Sequence, residues 1–263
     1  NALLSVRDLL EPYPKAYSSY YLEFQRRLYV LKLVDEYCQR DSTILDLGAQ
    51  PFIMSCALRK MGYKVIAYDY DPEPYMEIAK LCGVEVMRRD LERDSLDIYG
   101  TADCIVFSEV LEHLNPYYVG HTLTEMNKAL KYGGKLILTT PNIASLFRRL
   151  KLLLGLQPQQ QVHVHEYTKK EVEDLLQRHG FCIIRSYYSD INDLSFIDGD
   201  ENDYLKVNKF VNLIRVTMKR PTKVNILRTL AYPIIKAVPN LRILIVVIAE
   251  KCKETTPTAP ERW

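Results

Sequence analysis

Residues 108–113, Ser-Glu-Val-Leu-Glu-His, carry the densest chemistry in the 263-residue chain. If this segment turns into a helix, Glu109, Glu112 and His113 stand at i, i+3 and i+4 on one face of a single turn. Two carboxylates and an imidazole that converge can hold a divalent cation such as Mg2+ or Mn2+, with His163 or His165 supplying a further ligand. Glu109, Glu112, His113 and His163 are thus the candidate metal set. Without a metal, His113 and His163 are the candidate bases for deprotonating a hydroxyl, with Glu112 beside them. For either histidine the competing expectation is a purely structural role.

The elements that position this segment are legible nearby. Cys104 to Phe107 is all apolar and reads as a central strand of a parallel sheet. Ligands of such sheets lie outside the carboxyl ends of the strands, which puts residues 108–113 at the ligand end. Upstream, Thr43 to Leu47 is a short apolar run carrying Asp46. Gly48 follows at once, and Pro51 opens a helix-like segment to Met61. A second strand, Lys64 to Tyr68, ends in Asp69, 21 residues past Gly48. Strand, glycine turn, helix and strand form the first half of a βαβ unit, and an acidic residue at that distance suits a ribose diol. A dinucleotide is disfavoured. The second glycine of its fingerprint is replaced by Gln50, whose side chain obstructs a pyrophosphate, and Asp46 would repel one. The same carboxylate attracts a sulfonium or ammonium group.

Leu45-Asp46-Leu47-Gly48 with Asp69 resembles the S-adenosylmethionine-dependent methyltransferases of the Rossmann-like class. The usual loop has two or three glycines, and this one keeps only Gly48. The resemblance implies an α/β, doubly wound, mostly parallel seven-stranded sheet, with S-adenosylmethionine held along Asp46, Gly48, Gln50, Asp69, Tyr70, Asp90, Ser108 and Glu109. Gly48 would let the backbone approach, Asp69 would hold the ribose hydroxyls, and Asp90, after a third strand at Val84 to Met87, would meet the adenine amino group. The Glu-x-x-Glu-His segment is similar to two metal-binding groups, which methylate ribose 2′-hydroxyls of small RNAs or phenolic hydroxyls of quinone precursors. His163, Glu166 and Tyr167 match the His-x-x-Glu-aromatic segment of the RNA group. It is also similar to many methyltransferases without a known metal. Glu-His-Leu, Thr140-Pro141-Asn142 and His-x-His-Glu-Tyr-Thr together resemble bacterial enzymes acting on glycan or lipid-linked hydroxyls. The expected activity is O-methylation of a hydroxyl on a small molecule, glycan or lipid-linked acceptor. The alternatives are a metal-dependent ribose 2′-O-methyltransferase and an inactive binding or regulatory module, the latter favoured by the glycine-poor loop.

The remaining chain fits one large domain with an insertion. Residues 1–17 read as an arm with a short helix at most. From Ser18 to Tyr37 the spacing of Tyr21, Phe24, Leu28, Leu31 and Val34 is helical, and Arg26 and Arg27 are expected on its solvated face, with the cofactor carboxylate as the other possible contact. A helix at 116–131 should break at Gly133-Gly134, before a fifth strand at Lys135 to Thr139. Ala144 to Leu156 is a basic, leucine-rich helix. Leu146, Phe147 and Leu150 with Arg148, Arg149 and Lys151 could make a peripheral membrane contact, whereas the plainer expectation is a helix covering the active site. Thr168 with Glu171 makes a capping box, and Phe181 to Ser186 is a sixth strand. The domain reading is 1–40 for the arm and helix, 41–188 plus 222–250 for the main domain, 189–221 for an insertion or lid, and 251–263 for a loose tail. The last strand, Ile243 to Ala249, should run antiparallel by the resemblance.

Composition is that of a globule, with 48% hydrophobic residues, 26% charged residues and a net charge of +2, so no general nucleic-acid binding is expected. The six scattered cysteines read as reduced core thiols of a cytoplasmic protein. No signal peptide is visible, and the start at Asn1 suggests a chain that begins inside a longer one or after a removed tag. Nineteen tyrosines suggest an aromatic lining for a sugar or ring, or else serve the core.

Overall fold

The computed structural model describes residues 2–255. Its centre is a seven-stranded sheet of β1 (Thr43–Leu47), β2 (Lys64–Asp69), β3 (Glu85–Arg88), β4 (Ala102–Ser108), β5 (Leu130–Pro141), β6 (Phe181–Ser189) and β7 (Leu244–Lys251), in the order β3-β2-β1-β4-β5-β7-β6. The pairings among β1 to β5 are parallel, and β7 lies antiparallel between β5 and β6. The near-continuous burial of β1, β4 and β7 is what helices on both faces demand. One face packs Ile44, Val106, Ile137 and Val246 with the N-terminal helices. The other packs Leu45, Ile105, Leu138 and Val247 against the helices at 116–129 and 169–178. Strand order reverses between β1 and β4, so the loops after these strands face a common crevice.

Several elements differ from expectation, each for a packing reason. The arm is folded into the core: Leu3, Val6 and Leu10 are fully buried beneath a helix at Pro14–Leu22. The expected single helix from Ser18 to Tyr37 breaks at Glu23, and its second part is Phe24–Tyr37. The helix after Pro116 ends at Ala129, and β5 already begins at Leu130, ahead of the glycine pair. A Cβ on Gly134 would stand 2.8 Å from the carbonyl oxygen of Lys131 and 3.2 Å from that of Ala102, so glycine lets two strands close here. The tail begins fixed, since Lys251 ends β7 and Cys252 is bonded to Cys182; residues 256–263 lie outside the described residues.

The cysteines are a clear correction. Cys56–Cys82 and Cys182–Cys252 are disulfides, leaving Cys38 and Cys104 as buried thiols. Helices 53–60 and 76–81 lie side by side, which brings the Cα atoms of Cys56 and Cys82 to 5.3 Å. The antiparallel pairing of β6 with β7 does the same for Cys182 and Cys252 at 5.7 Å. Twenty-six and seventy residues separate the partners, so no sequence spacing advertised them. The cytoplasmic expectation rested on reduced thiols and loses that ground.

Residues 189–221 form three short helices, Ile191–Ser195, Glu201–Lys206 and Phe210–Lys219. They share a small core of Leu194, Ile197, Val207, Leu213 and Val216, completed by Tyr232 from the helix Lys223–Ala237. No helix among the described residues is long and apolar enough to cross a membrane.

Candidate active site

The loop after β1 is held by the carboxylate it was expected to offer a ligand. Asp69 Oδ2 accepts the Gln50 amide at 2.9 Å, and its Oδ1 accepts the Asp71 amide at 3.2 Å. The Gln50 side chain reaches the Asp71 carbonyl at 2.7 Å, so it ties the loop to the end of β2 rather than standing across it. Gly48 has φ +68°, and a Cβ there would lie 2.5 Å from Val110 Cγ2. Its bareness therefore admits the 109–113 turn against the loop.

A trough of about 630 Å3 runs over this loop between Asp69, Tyr70, Asp90 and Leu91. It shares Gly48, Gln50, Glu109 and His113 with a second cavity of about 540 Å3. That cavity is lined by Asp46, Ser108, Glu112, Arg148, His163 and Phe196, among others. Tyr70 is exposed at the trough, and Asp90 Oδ1 accepts the Glu92 amide at 3.0 Å. Ser108 Oγ lies 2.8 Å from Thr139 Oγ1. Asp46 is buried and accepts the Ser55 hydroxyl at 2.5 Å. Burial raises its pKa to about 7 despite that bond, and Asp69 adds to the rise.

The second constellation forms differently from the helix turn read in the sequence. Glu109 adopts φ +59°, and only a 3-10 turn, Leu111–His113, follows. Glu109 consequently leaves the metal candidates: its carboxylate accepts Arg26 at 3.1 Å and Thr139 at 3.0 Å. Glu112, His113 and His163 do come together, with one ligating atom of each within 4.8 Å of the others. The rings of His113 and His163 meet edge to face with centroids 4.9 Å apart. His165 is elsewhere, its ring against Tyr167.

Backbone bonds explain the convergence. The amides of Val164 and His165 both donate to the Glu112 carbonyl, at 2.8 and 3.1 Å. Each histidine is also oriented. His113 Nδ1 lies 3.1 Å from the Val162 carbonyl, and His163 Nδ1 lies 2.6 Å from Glu166 Oε1. Both partners only accept, so both Nδ1 atoms carry hydrogen, and in the neutral tautomer of each ring the lone pair is on Nε2.

The supporting network is largely buried. Arg148 donates twice to Glu166, with its Nη2 at 2.7 Å from Oε1, and neither side chain is more than 9% exposed. Burial alone would raise Glu166, but Arg148 and His163 outweigh it and hold its carboxyl below the usual range. Glu112 is driven the other way. Burial and then the neighbouring Glu109 push it well above the ordinary carboxyl range, while Thr140 donates to its Oε2 at 2.9 Å. Its Oε1 is buried without a hydrogen-bond partner among the described residues. Burial and the neighbouring His163 lower the His113 pKa.

Sequence reasoning missed the charged wall opposite. Arg27 is buried and Arg26 largely so, neither on a solvated face: each lies 2.7 Å from Glu23, and Arg27 also donates to the Ser19 carbonyl at 2.8 Å. Arg148 turns inward and lines the cavity, as a helix covering the site would place it and a membrane contact would not. Asn192 and Phe196 of the 189–221 segment line the same cavity. No tyrosine lines it; Tyr20, Tyr63 and Tyr68 are fully buried in the protein core.

A doubly wound sheet with a crevice at its switch point, one acidic residue at the tip of β2 and a histidine–carboxylate cluster after β4 define a Rossmann-like transferase site. Residues 21–186 match the family described as methyltransferase domain; the chain belongs to this family and is a class I S-adenosylmethionine-dependent methyltransferase. Its fold is similar to that of a SAM-dependent methyltransferase from Archaeoglobus fulgidus, with 16% identity, a TM-score of 0.58, and 89% of this chain and all of that one covered. A SAM-dependent methyltransferase from Methanosarcina mazei shows 17% identity and a TM-score of 0.56, covering 83% of this chain and 96% of that one. The geranyl diphosphate C-methyltransferase of Streptomyces coelicolor shows 14% identity and a TM-score of 0.55, with 86% and 79% covered. No curated protein matches the sequence. At these identities the structural likenesses establish the fold.

Proposed function

We propose that the protein methylates a hydroxyl oxygen of a small-molecule, glycan or lipid-linked acceptor, with His163 as general base. The observation that carries this reading is the chain Arg148–Glu166–His163, which leaves Nε2 of a buried, oriented imidazole at a cavity wall beside Glu112 and His113. S-Adenosylmethionine, when bound, supplies an electrophilic methyl group on a sulfonium sulfur. Residues along the trough and the adjoining cavity suit that cofactor: Asp69 retains carboxylate lone pairs for a ribose diol, Asp90 lines the same trough, and buried Asp46 in the cavity favours a positive charge. His163 takes the hydroxyl proton at Nε2. Glu166 holds the ring and stabilises the imidazolium that results, and Arg148 keeps Glu166 ionised. Much of the remaining acceleration comes from positioning inside a cavity whose walls, Arg26 and Glu109 included, are already paired.

His163→Ala is expected to lower kcat on hydroxyl acceptors roughly a thousandfold while leaving the cofactor Kd unchanged. Turnover that survives this change, or wild-type turnover confined to nitrogen or carbon acceptors, would sink the assignment.

The orphaned Oε1 of Glu112 favours a second reading. With Nε2 of His113 and His163 it offers three ligand atoms to a divalent cation, and Glu166 and the Val162 carbonyl already orient the imidazoles from behind. A cation there would lower the pKa of the acceptor hydroxyl and extend the acceptor class to ribose 2′-hydroxyls. Calorimetric titration with Mn2+ or Mg2+ should then give a one-site isotherm that Glu112→Gln abolishes. A flat titration of the wild type removes this reading and leaves the base.

A further inference from the structure

Two segments of this nearly neutral chain contain no acidic residue. Residues 145–165 and 204–249 together hold twelve of its 35 Lys and Arg and none of its 33 Asp and Glu. Each contributes a helix, Leu146–Leu153 and Lys223–Ala237. The two meet where the Arg228 guanidinium lies 5.4 Å from the Phe147 and Phe196 ring centroids. Phe196 and Arg148 line the cavity at that junction, as does Val162, which is itself exposed.

Both helices turn large apolar side chains to solvent. Leu152, Leu153, Leu154 and Leu156 crowd the tip of the first, where the chain turns back at Gly155; Leu153 is 82% exposed and Leu154 75%. On the second, Leu227, Leu230, Ile234 and Val238 follow at i, i+3, i+7 and i+11, along one stripe, while Ala231, Tyr232 and Ile235 are buried on the adjoining face. A surface helix whose apolar arc runs well past the part it buries is covered in use.

We propose that these two helices seat the protein on an anionic lipid bilayer, placing the cavity wall they share at the membrane surface. Three observations select this occupant. Consecutive exposed leucines at a tip point in several directions, which suits insertion into a fluid acyl boundary better than docking on a flat protein face. The flanking cations, Arg149, Lys151, Lys223 and Lys236, are exposed and lie on segments with no acidic residue to neutralise them. A two-fold pairing of this face with itself would set those cations against one another. The docking stands independently of the acceptor assigned above.

Flotation of the full chain with phosphatidylcholine vesicles, with and without phosphatidylglycerol, tests it. Binding is expected only with the anionic lipid and should weaken as salt rises. Leu153→Glu and Leu230→Glu should each lower the vesicle partition coefficient about tenfold, with the thermal melt unchanged because both side chains are exposed. Absence of binding to either vesicle overturns the proposal. So does a concentration-dependent dimer in sedimentation equilibrium that Leu230→Glu dissolves, which would assign the face to a second copy.

Discussion

The two halves of the sheet treat their carboxylates in opposite ways. On the β1–β2–β3 side, Asp69 and Asp90 lie along an open trough and accept backbone amides of the surrounding loops. On the β4–β5 side, Glu112 and Glu166 are buried within 2% of full coverage and are pushed in opposite directions, one neutralised by burial and one ionised by Arg148. For solvated carboxylates that already have partners each contact is worth little and its loss is tolerated, which suits binding. For carboxylates out of water one missing partner is costly, which suits the chemistry proposed above.

That contrast is open to direct attack, starting with its strongest side. Glu166→Ala leaves the Arg148 guanidinium buried without its partner and His163 unoriented. Unfolding should lose about 3–5 kcal/mol and kcat should fall at least about a hundredfold. A variant that keeps both would mean the buried network is ornamental.

Asp46 blurs the division, since it is a buried carboxylate on the cofactor side. Its folded pKa of about 7 lies above the usual 3.8, so the folded protein keeps a proton that the unfolded chain releases. This contribution to stability is therefore greatest below the lower value and is lost as pH rises between the two, by up to about 4 kcal/mol. Denaturant melts of Asp46→Asn should show a flatter fall across that window; part of the slope remains, because burial also raises Asp193 to about 7. Ionised Asp46 attracts a sulfonium. The affinity for S-adenosylmethionine relative to its neutral, demethylated product should accordingly rise as pH passes 7, and Asp46→Asn should erase that trend.

Gly48 joins the halves, because the space of its absent side chain is filled by Val110. Gly48→Ala must displace Val110 and hold a side chain at positive φ, at a cost of about 2–3 kcal/mol. Cofactor affinity and kcat should fall together. A loss confined to affinity would show that the two sides act separately. The smallest effect belongs to Asp69→Ala, expected to weaken cofactor binding roughly tenfold with kcat at saturation nearly kept. Undiminished affinity would remove Asp69 from the ribose site.

How much of this was legible varied with the range of the interaction. The βαβ unit was readable because a strand, its glycine and the tip of the next strand are fixed by local pattern, and β1 spans the predicted residues, Thr43–Leu47. The capping box at Thr168 and Glu171 is local in the same sense. The meeting of Glu112 with His163 was suggested only by motif, since they stand 51 positions apart and the link is a pair of amides on one carbonyl. For Arg148 the spacing left two places open, a membrane contact and a helix covering the active site, and the buried charge of Glu166 drew it inward. The four half-cystines gave no signal at all, because their proximity is a product of helix packing and antiparallel strand register.

The sequence by itself determined the fold class, the place of the glycine turn after β1 and the residue types available to the candidate site, since periodicity, glycine positions and residue chemistry are properties of neighbours along the chain. Only the tertiary structure decided which of those side chains face one another, which are protonated and which face water. Those outcomes depend on burial and on partners brought from distant segments: desolvation raised Glu112, Arg148 held Glu166 ionised, and Arg26 took Glu109 away from the histidines.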